Sequence, residues 1–74
     1  MAALRSLDVR ILSYLHPVGG VGMSATDVFS QYGKGTSSTI KNRLYELERA
    51  GVVVGERRAV GNRDLPTLYW RKET

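Results

Sequence analysis

The sequence predicts an α+β domain in which three short helices precede a two-stranded β-hairpin, with residues 1–74 forming a single domain. Three observations lead to this prediction. Apolar residues recur at helical spacing in three separate segments, glycine-containing stretches divide those segments, and two runs rich in β-branched or aromatic residues follow them. Because 74 residues can bury one hydrophobic core and no second one, we expect no domain boundary within the chain.

The first helix is predicted from a capping residue and a stripe of leucine and isoleucine side chains. Ser6 is the expected N-cap, and the apolar stripe runs to Leu15. Because Pro17 cannot continue a helix, the helix should end near residue 15 or 16. Three glycines between residues 19 and 22 then predict a flexible connection.

A second, short helix is predicted to begin after Ser24. Asp27 follows this serine three residues later, which is a variant of the capping box, where each side chain bonds the backbone of the other residue. Gly33 and Gly35 mark the end of the helix, and a serine- and threonine-rich segment that can cap a third helix comes next. The sequence therefore predicts two helices joined by a tight turn.

The third helix has the clearest pattern in the chain. Ile40, Leu44 and Leu47 fall at positions i, i+4 and i+7, which puts their side chains on one face. Gly51 follows at the place where a left-handed residue commonly ends a helix. We therefore predict a helix over about residues 37–50 that buries its leucine side.

Two strands are predicted after the third helix. Residues 52–54 are a β-branched run, residues 67–70 are a second strand-forming run, and residues 61–64 together with Pro66 are expected to form a loop between them. Two strands joined in this way make a hairpin. The large aromatic residues expected to fill the core are Phe29, Tyr32 and Trp70.

The excess positive charge lies in the second part of the chain. The formal net charge is +4, and acidic and basic side chains cancel over residues 1–32, so the whole excess falls in residues 33–74. A surface that meets phosphates would show this distribution. Mild basicity is also common among soluble domains, so the charge alone does not establish a nucleic-acid partner.

Composition disfavours several classes of function. The chain has no cysteine and a single histidine, His16, so we expect no catalytic nucleophile with its base, no metal site and no cofactor. No apolar run is long enough to span a membrane, and residues 1–5 lack the apolar stretch of a secretory signal. We therefore expect a non-enzymatic protein of the cytoplasm.

Residues 39–53 resemble the third helix and following strand of winged helix-turn-helix regulators of the MarR, ArsR and PadR types. The shared pattern is a Ser/Thr-rich start, an Arg-Leu pair, a second leucine, a glutamate, and a glycine before an apolar strand. The likeness extends more loosely over residues 6–70. It implies a winged helix-turn-helix fold, a recognition helix over about residues 37–50 in the major groove of duplex DNA, and a hairpin wing over about residues 57–66 beside it.

Helical geometry agrees with this resemblance, because the side opposite the leucines carries short polar and basic side chains. The candidate DNA contacts on the third helix are Ser37, Ser38, Thr39, Lys41, Asn42, Tyr45 and Arg49. The candidates in the turn before it and in the wing are Lys34, Thr36, Arg57, Arg58, Asn62 and Arg63. The amide of Asn42 can pair with an adenine edge, and an arginine such as Arg63 suits a narrow minor groove. A solvated helix face that contacts nothing is the alternative.

The expected function is sequence-specific binding of double-stranded DNA, in the manner of a transcriptional regulator. Two alternatives remain open: a winged-helix module that binds protein through the first helix and the hairpin, and an architectural or recombination DNA-binding protein of phage or plasmid type. The long extra helices through which MarR-type proteins dimerise are missing from this sequence. A homodimer would therefore have to use the first helix or the chain ends, or else the chain binds as a monomer.

Overall fold

The structure, a computed structural model, describes residues 4–72. Its elements follow the predicted order of three helices and a two-stranded antiparallel hairpin, so the predicted winged-helix architecture is confirmed. The elements are α1 (Ser6–Tyr14), α2 (Ala25–Tyr32), α3 (Ser37–Arg49), β1 (Val53–Val60) and β2 (Arg63–Arg71).

The starts of α1 and α2 are both capped by an aspartate three residues into the segment. The N-cap of α1 is Arg5 and not the predicted Ser6, because the Asp8 carboxylate accepts the Arg5 backbone N–H at 2.9 Å. In α2 the predicted capping box is confirmed: Ser24 and Asp27 each accept the backbone N–H of the other at 3.2 Å. Both helices thus begin where side chains satisfy backbone donors that have no intrahelical partner.

The ends of α3 follow from the residues that flank it. The Thr36 side chain accepts the backbone N–H of Thr39, and Gly51 takes a left-handed conformation with a φ of 82° after the last turn. Ile40, Leu44 and Leu47 are buried, as their spacing predicts. The opposite side of α3 is consequently left for solvent or a partner.

The core lies between the three helices and the base of the hairpin. Its buried apolar residues are Ile11, Leu15, Val28, Ile40, Leu44, Leu47, Val53 and Tyr69. Phe29 and Tyr32 pack against this cluster while partly buried. The expectation for Trp70 is wrong, because side chains alternate along a strand and Tyr69 is the β2 aromatic that turns inward.

The hairpin closes in a tighter turn than the sequence predicts. Val60 pairs with Arg63, so the connection is the two residues Gly61 and Asn62, and Gly61 has a φ of 61° that favours glycine. The predicted loop over residues 61–64 and Pro66 is therefore wrong in extent. Pro66 lies within β2 beside a shift of register, where a residue without a backbone N–H is tolerated.

The connection between α1 and α2 is bound to β2, so the prediction of a flexible segment is wrong. Arg71 donates its backbone N–H to the His16 carbonyl at 2.9 Å, and Met23 and Tyr69 exchange backbone hydrogen bonds of 3.1 and 2.8 Å. The Trp70 indole N–H adds a hydrogen bond of 2.8 Å to the Gly20 carbonyl. β2 is thus flanked on one side by β1 and on the other by this connection.

Candidate nucleic-acid interface

The residues predicted to contact DNA are all exposed in the structure. On α3 they form one continuous surface, which we call the polar face of α3; its members are Ser37, Ser38, Thr39, Lys41, Asn42, Tyr45 and Arg49. At about 100° per residue, Ser38, Asn42 and Arg49 lie opposite the buried Leu47. Neither Ser38 nor Asn42 is packed inside the molecule, so both side chains are accessible to a partner.

The start of the polar face is organised by the α3 cap. The Thr36 and Thr39 hydroxyls lie 3.0 Å apart and hydrogen-bond to each other. The hydroxyls of Ser37 and Ser38 have no hydrogen bond to any residue of the described range 4–72, so both can still donate. The first turn of α3 contains no acidic residue, and this end of the helix presents unpaired backbone N–H groups to an anion.

The turn between α2 and α3 holds Lys34 close to this helix start. Gly33 and Gly35 flank the lysine with φ values of 77° and 75°, which lets the chain reverse within a few residues. The Lys34 ammonium group lies 5.4 Å from the centre of the Tyr32 ring. The aromatic ring thus supports an exposed cation beside the polar face.

The far end of the polar face carries a second stacked cation. The Arg49 guanidinium lies 5.8 Å from the centre of the Tyr45 ring, and one of its nitrogens is 3.9 Å from a Glu46 oxygen. All three side chains are exposed, so water screens these contacts and they hold the arginine only loosely. A phosphate could compete for the same guanidinium.

The hairpin carries the remaining candidate residues. Asn62 lies in the turn and Arg63 directly follows it, while the Arg58 guanidinium donates to the Pro66 carbonyl at 3.4 Å. Within residues 4–72, neither Arg58 nor Arg63 makes a salt bridge. The tip of the hairpin therefore offers cationic groups that form no ion pair within the described residues.

Arg57 differs from the other candidates because its charge is already paired. Its guanidinium donates two hydrogen bonds of 3.0 and 2.9 Å to the Glu48 carboxylate of α3. This contact lowers the pKa of Glu48 and raises that of Arg57, so both groups stay charged. The sequence did not reveal this pair, because nothing in one chain indicates which glutamate faces the hairpin.

Lys41 lies where α3 approaches the hairpin and α2. It lines an open cleft of about 500 Å³ together with residues 24–26 at the start of α2 and residues 64–67 of β2. Lys41 has no salt bridge within the described residues. The cleft thus places a cation between three elements at one edge of the polar face.

A further ion pair that sequence reasoning missed joins α1 to α3. Arg43 donates from Nε and Nη2 to the two Asp8 oxygens at 2.8 and 2.9 Å, and the Asp8 side chain is buried. These hydrogen bonds lower the pKa of Asp8 despite its burial and raise the pKa of Arg43. The two residues are 35 positions apart, too far for any local pattern to predict their contact.

Among residues 4–72, no three histidine, aspartate or glutamate side chains are gathered so that they could hold a metal ion. Over the same range, no helix has both the length and the apolar character that crossing a bilayer demands.

The fold is similar to that of a solved structure, the crystal structure of Bacillus subtilis PadR in complex with operator DNA. The TM-score is 0.73 and the sequence identity 22%, over 90% of this chain and 40% of that one. This chain therefore spans well under half the length of that neighbour, and the likeness shows the winged-helix fold. Comparison of the sequence with protein-family models gives no match, and comparison with curated proteins gives none either.

Proposed function

We propose that this chain is a sequence-specific double-stranded DNA-binding protein that acts as a transcriptional regulator. The observation that carries the proposal is the polar face of α3, which is exposed along its whole length and flanked by cations from the turn and the hairpin. The similarity in fold to a protein solved with operator DNA supports the same function. In this proposal α3 is the recognition helix in the major groove and the hairpin is the wing beside it.

The proposal gives different roles to different side chains of the interface. Asn42 and Ser38 can exchange hydrogen bonds with base edges, whereas Lys34 and Lys41 suit phosphates, which carry charge without sequence information. Arg63 at the hairpin tip suits the negative potential of a narrow minor groove. Selectivity would then come mainly from α3, and affinity mainly from the cations around it.

The test is a salt titration of duplex binding. Lys41→Ala and Arg63→Ala should each weaken binding and reduce the slope of log affinity against log salt by about one, because each removes one cation that displaces counterions from the duplex. Arg10→Ala is the matched control, since Arg10 is an exposed arginine of α1 outside the proposed interface. If Lys41→Ala and Arg63→Ala bind as tightly as Arg10→Ala at moderate salt, the proposed binding mode is wrong.

A protein-binding module is a second candidate, favoured by exposed apolar side chains on the outer side of the hairpin. Val18 of the connection between α1 and α2 and Val54 of β1 are exposed and line one open cleft with the partly buried Trp70. A gel-shift experiment with random duplex and genomic fragments separates the candidates. Binding of selected fragments supports a regulator, uniform binding supports an architectural or recombination role, and no binding supports the protein partner.

Several broader expectations belong to the same proposal. We propose that residues 1–74 act as one domain in the cytoplasm and that a homodimer, if formed, uses α1 or the chain ends. The exposed Val9 of α1 offers an apolar contact for such a dimer, whereas residues 1–3 and 73–74 of the chain ends lie outside the described residues. Sedimentation of the free protein and of its DNA complex measures the stoichiometry directly.

A further inference from the structure

A clamp of two side chains joins α3 to the hairpin. Arg57 of β1 donates from Nη1 and Nη2 to Oε2 and Oε1 of Glu48, at 3.0 and 2.9 Å, so both carboxylate oxygens accept a hydrogen bond. A two-point contact of this kind fixes the relative orientation of two groups as well as their separation. The clamp therefore restrains the direction in which β1 leaves α3.

The hairpin leaves room for the Glu48 carboxylate by having a glycine beside it. A Cβ placed on Gly55 would lie 2.8 Å from Glu48 Oε2 and 3.1 Å from Tyr69 Cε1. Gly55 does not have a left-handed backbone, so the glycine is explained by space and not by its dihedral angles. The carboxylate is thus seated against the strand backbone on one side and held by Arg57 on the other.

The clamp lies on the side of α3 that faces the hairpin. Glu48 follows Lys41 by seven residues, close to two helical turns, so both side chains leave α3 in similar directions. Lys41 lines the cleft against β2 while Glu48 contacts β1. From Arg57 the strand runs on to the turn at Gly61, about 13 Å further at the usual rise per residue, so a small rotation at the clamp displaces the tip.

We propose that Glu48 is a positioning residue for DNA binding: by holding Arg57, it sets where the hairpin tip lies relative to the polar face of α3. This inference rests on the proposed function. Sequence-selective binding then depends on an acidic side chain that touches no DNA. The direction of the change in affinity distinguishes a positioning role from simple charge repulsion. If electrostatics alone acted, loss of an acidic group should tighten binding to every duplex.

The test compares three variants of the full chain at one salt concentration. For each variant, affinity is measured for a duplex that the wild type binds selectively and for a scrambled duplex. Glu48→Gln removes the negative charge and one of the two acceptor oxygens of the clamp. Glu56→Gln removes the same charge from an exposed residue that has no salt bridge within residues 4–72. Gly55→Ala changes no charge but crowds the Glu48 carboxylate. Thermal melts identify a temperature at which every variant is folded, and binding is measured there.

We expect the two variants that disturb the clamp to lose sequence selectivity while they keep their electrostatic attraction to DNA. The ratio of selected to scrambled affinity should fall about tenfold in Glu48→Gln and Gly55→Ala and stay unchanged in Glu56→Gln. If Glu48→Gln does not fold, Gly55→Ala carries the test. If Glu48→Gln and Gly55→Ala show the same ratio as Glu56→Gln, the positioning role of Glu48 is wrong. The proposed DNA-binding function is not affected by that result. A wild-type chain that prefers no duplex overturns the proposed function itself.

Discussion

Two ion pairs on different sides of α3 have nearly the same geometry but very different surroundings. Asp8 and Arg43 are joined at 2.8 and 2.9 Å, and Glu48 and Arg57 at 2.9 and 3.0 Å. The Asp8 and Arg43 side chains are 1% and 19% exposed, whereas those of Glu48 and Arg57 are 22% and 60% exposed. Water reaches both side chains of the second pair but hardly reaches Asp8, so loss of the first pair should cost more stability than loss of the second.

The largest effect is expected from breaking the buried pair. Asp8→Asn leaves the Arg43 guanidinium without its carboxylate and weakens the cap on the Arg5 backbone, so the free energy of unfolding should fall by about 2–4 kcal/mol. Urea denaturation measures this change. The control Glu56→Gln, at an exposed site, should stay within about 0.5 kcal/mol of wild type. Equal stability of the two variants would remove the distinction between the pairs.

Acid should destabilise the protein in part through the same buried pair. Hydrogen bonds from Arg43 hold the pKa of Asp8 below its ordinary value, which is about 3.9 in an unfolded chain. Asp8 therefore contributes stability that is fully present above that pH and is lost as the pH falls through the lowered pKa of the folded state.

The corresponding experiment follows urea midpoints from neutral pH to pH 2. The wild type should lose stability below about pH 4 more steeply than Asp8→Asn, which has no carboxyl group to protonate at this position. Parallel curves for the two proteins would show that Asp8 titrates alike in the folded and unfolded states, contrary to the contacts described above.

A smaller effect is expected from breaking the exposed pair. Arg43 is not involved in the Glu48 contact, and the two pairs share no partner, so Glu48→Gln should move the urea midpoint only slightly. The double variant Asp8→Asn with Glu48→Gln should be destabilised by the sum of the single changes. A strong departure from additivity would mean that α3 transmits strain from one pair to the other.

Local signals in the sequence were enough to predict the helices and the polar face of α3. Ser24 with Asp27, the spacing of Ile40, Leu44 and Leu47, and Gly51 each act within a few residues of the structure they specify. Exposure of Asn42 follows from the same helical geometry. These features need no knowledge of the rest of the fold.

Several of the features that sequence reasoning missed depend on contacts between distant segments. Asp8 pairs with Arg43 across 35 positions, and Trp70 hydrogen-bonds to Gly20 across 50. Which of two neighbouring aromatics on β2 turns inward depends on strand register, and the glycine-rich connection is ordered by backbone bonds to that strand. The glycine content of this connection suggests flexibility, because composition gives no information about the strand with which the connection pairs.

The central claim, that the polar face of α3 reads duplex DNA, is tested most directly by selecting bound sequences from a random duplex pool with wild type and Asn42→Ala. Asn42 is exposed and makes no hydrogen bond within residues 4–72, so the substitution should leave folding intact. We predict that wild type enriches one motif and that Asn42→Ala loses preference at one position of it, about 1–3 kcal/mol of discrimination. Enrichment of the identical motif by both proteins, or of none by wild type, would contradict the claim.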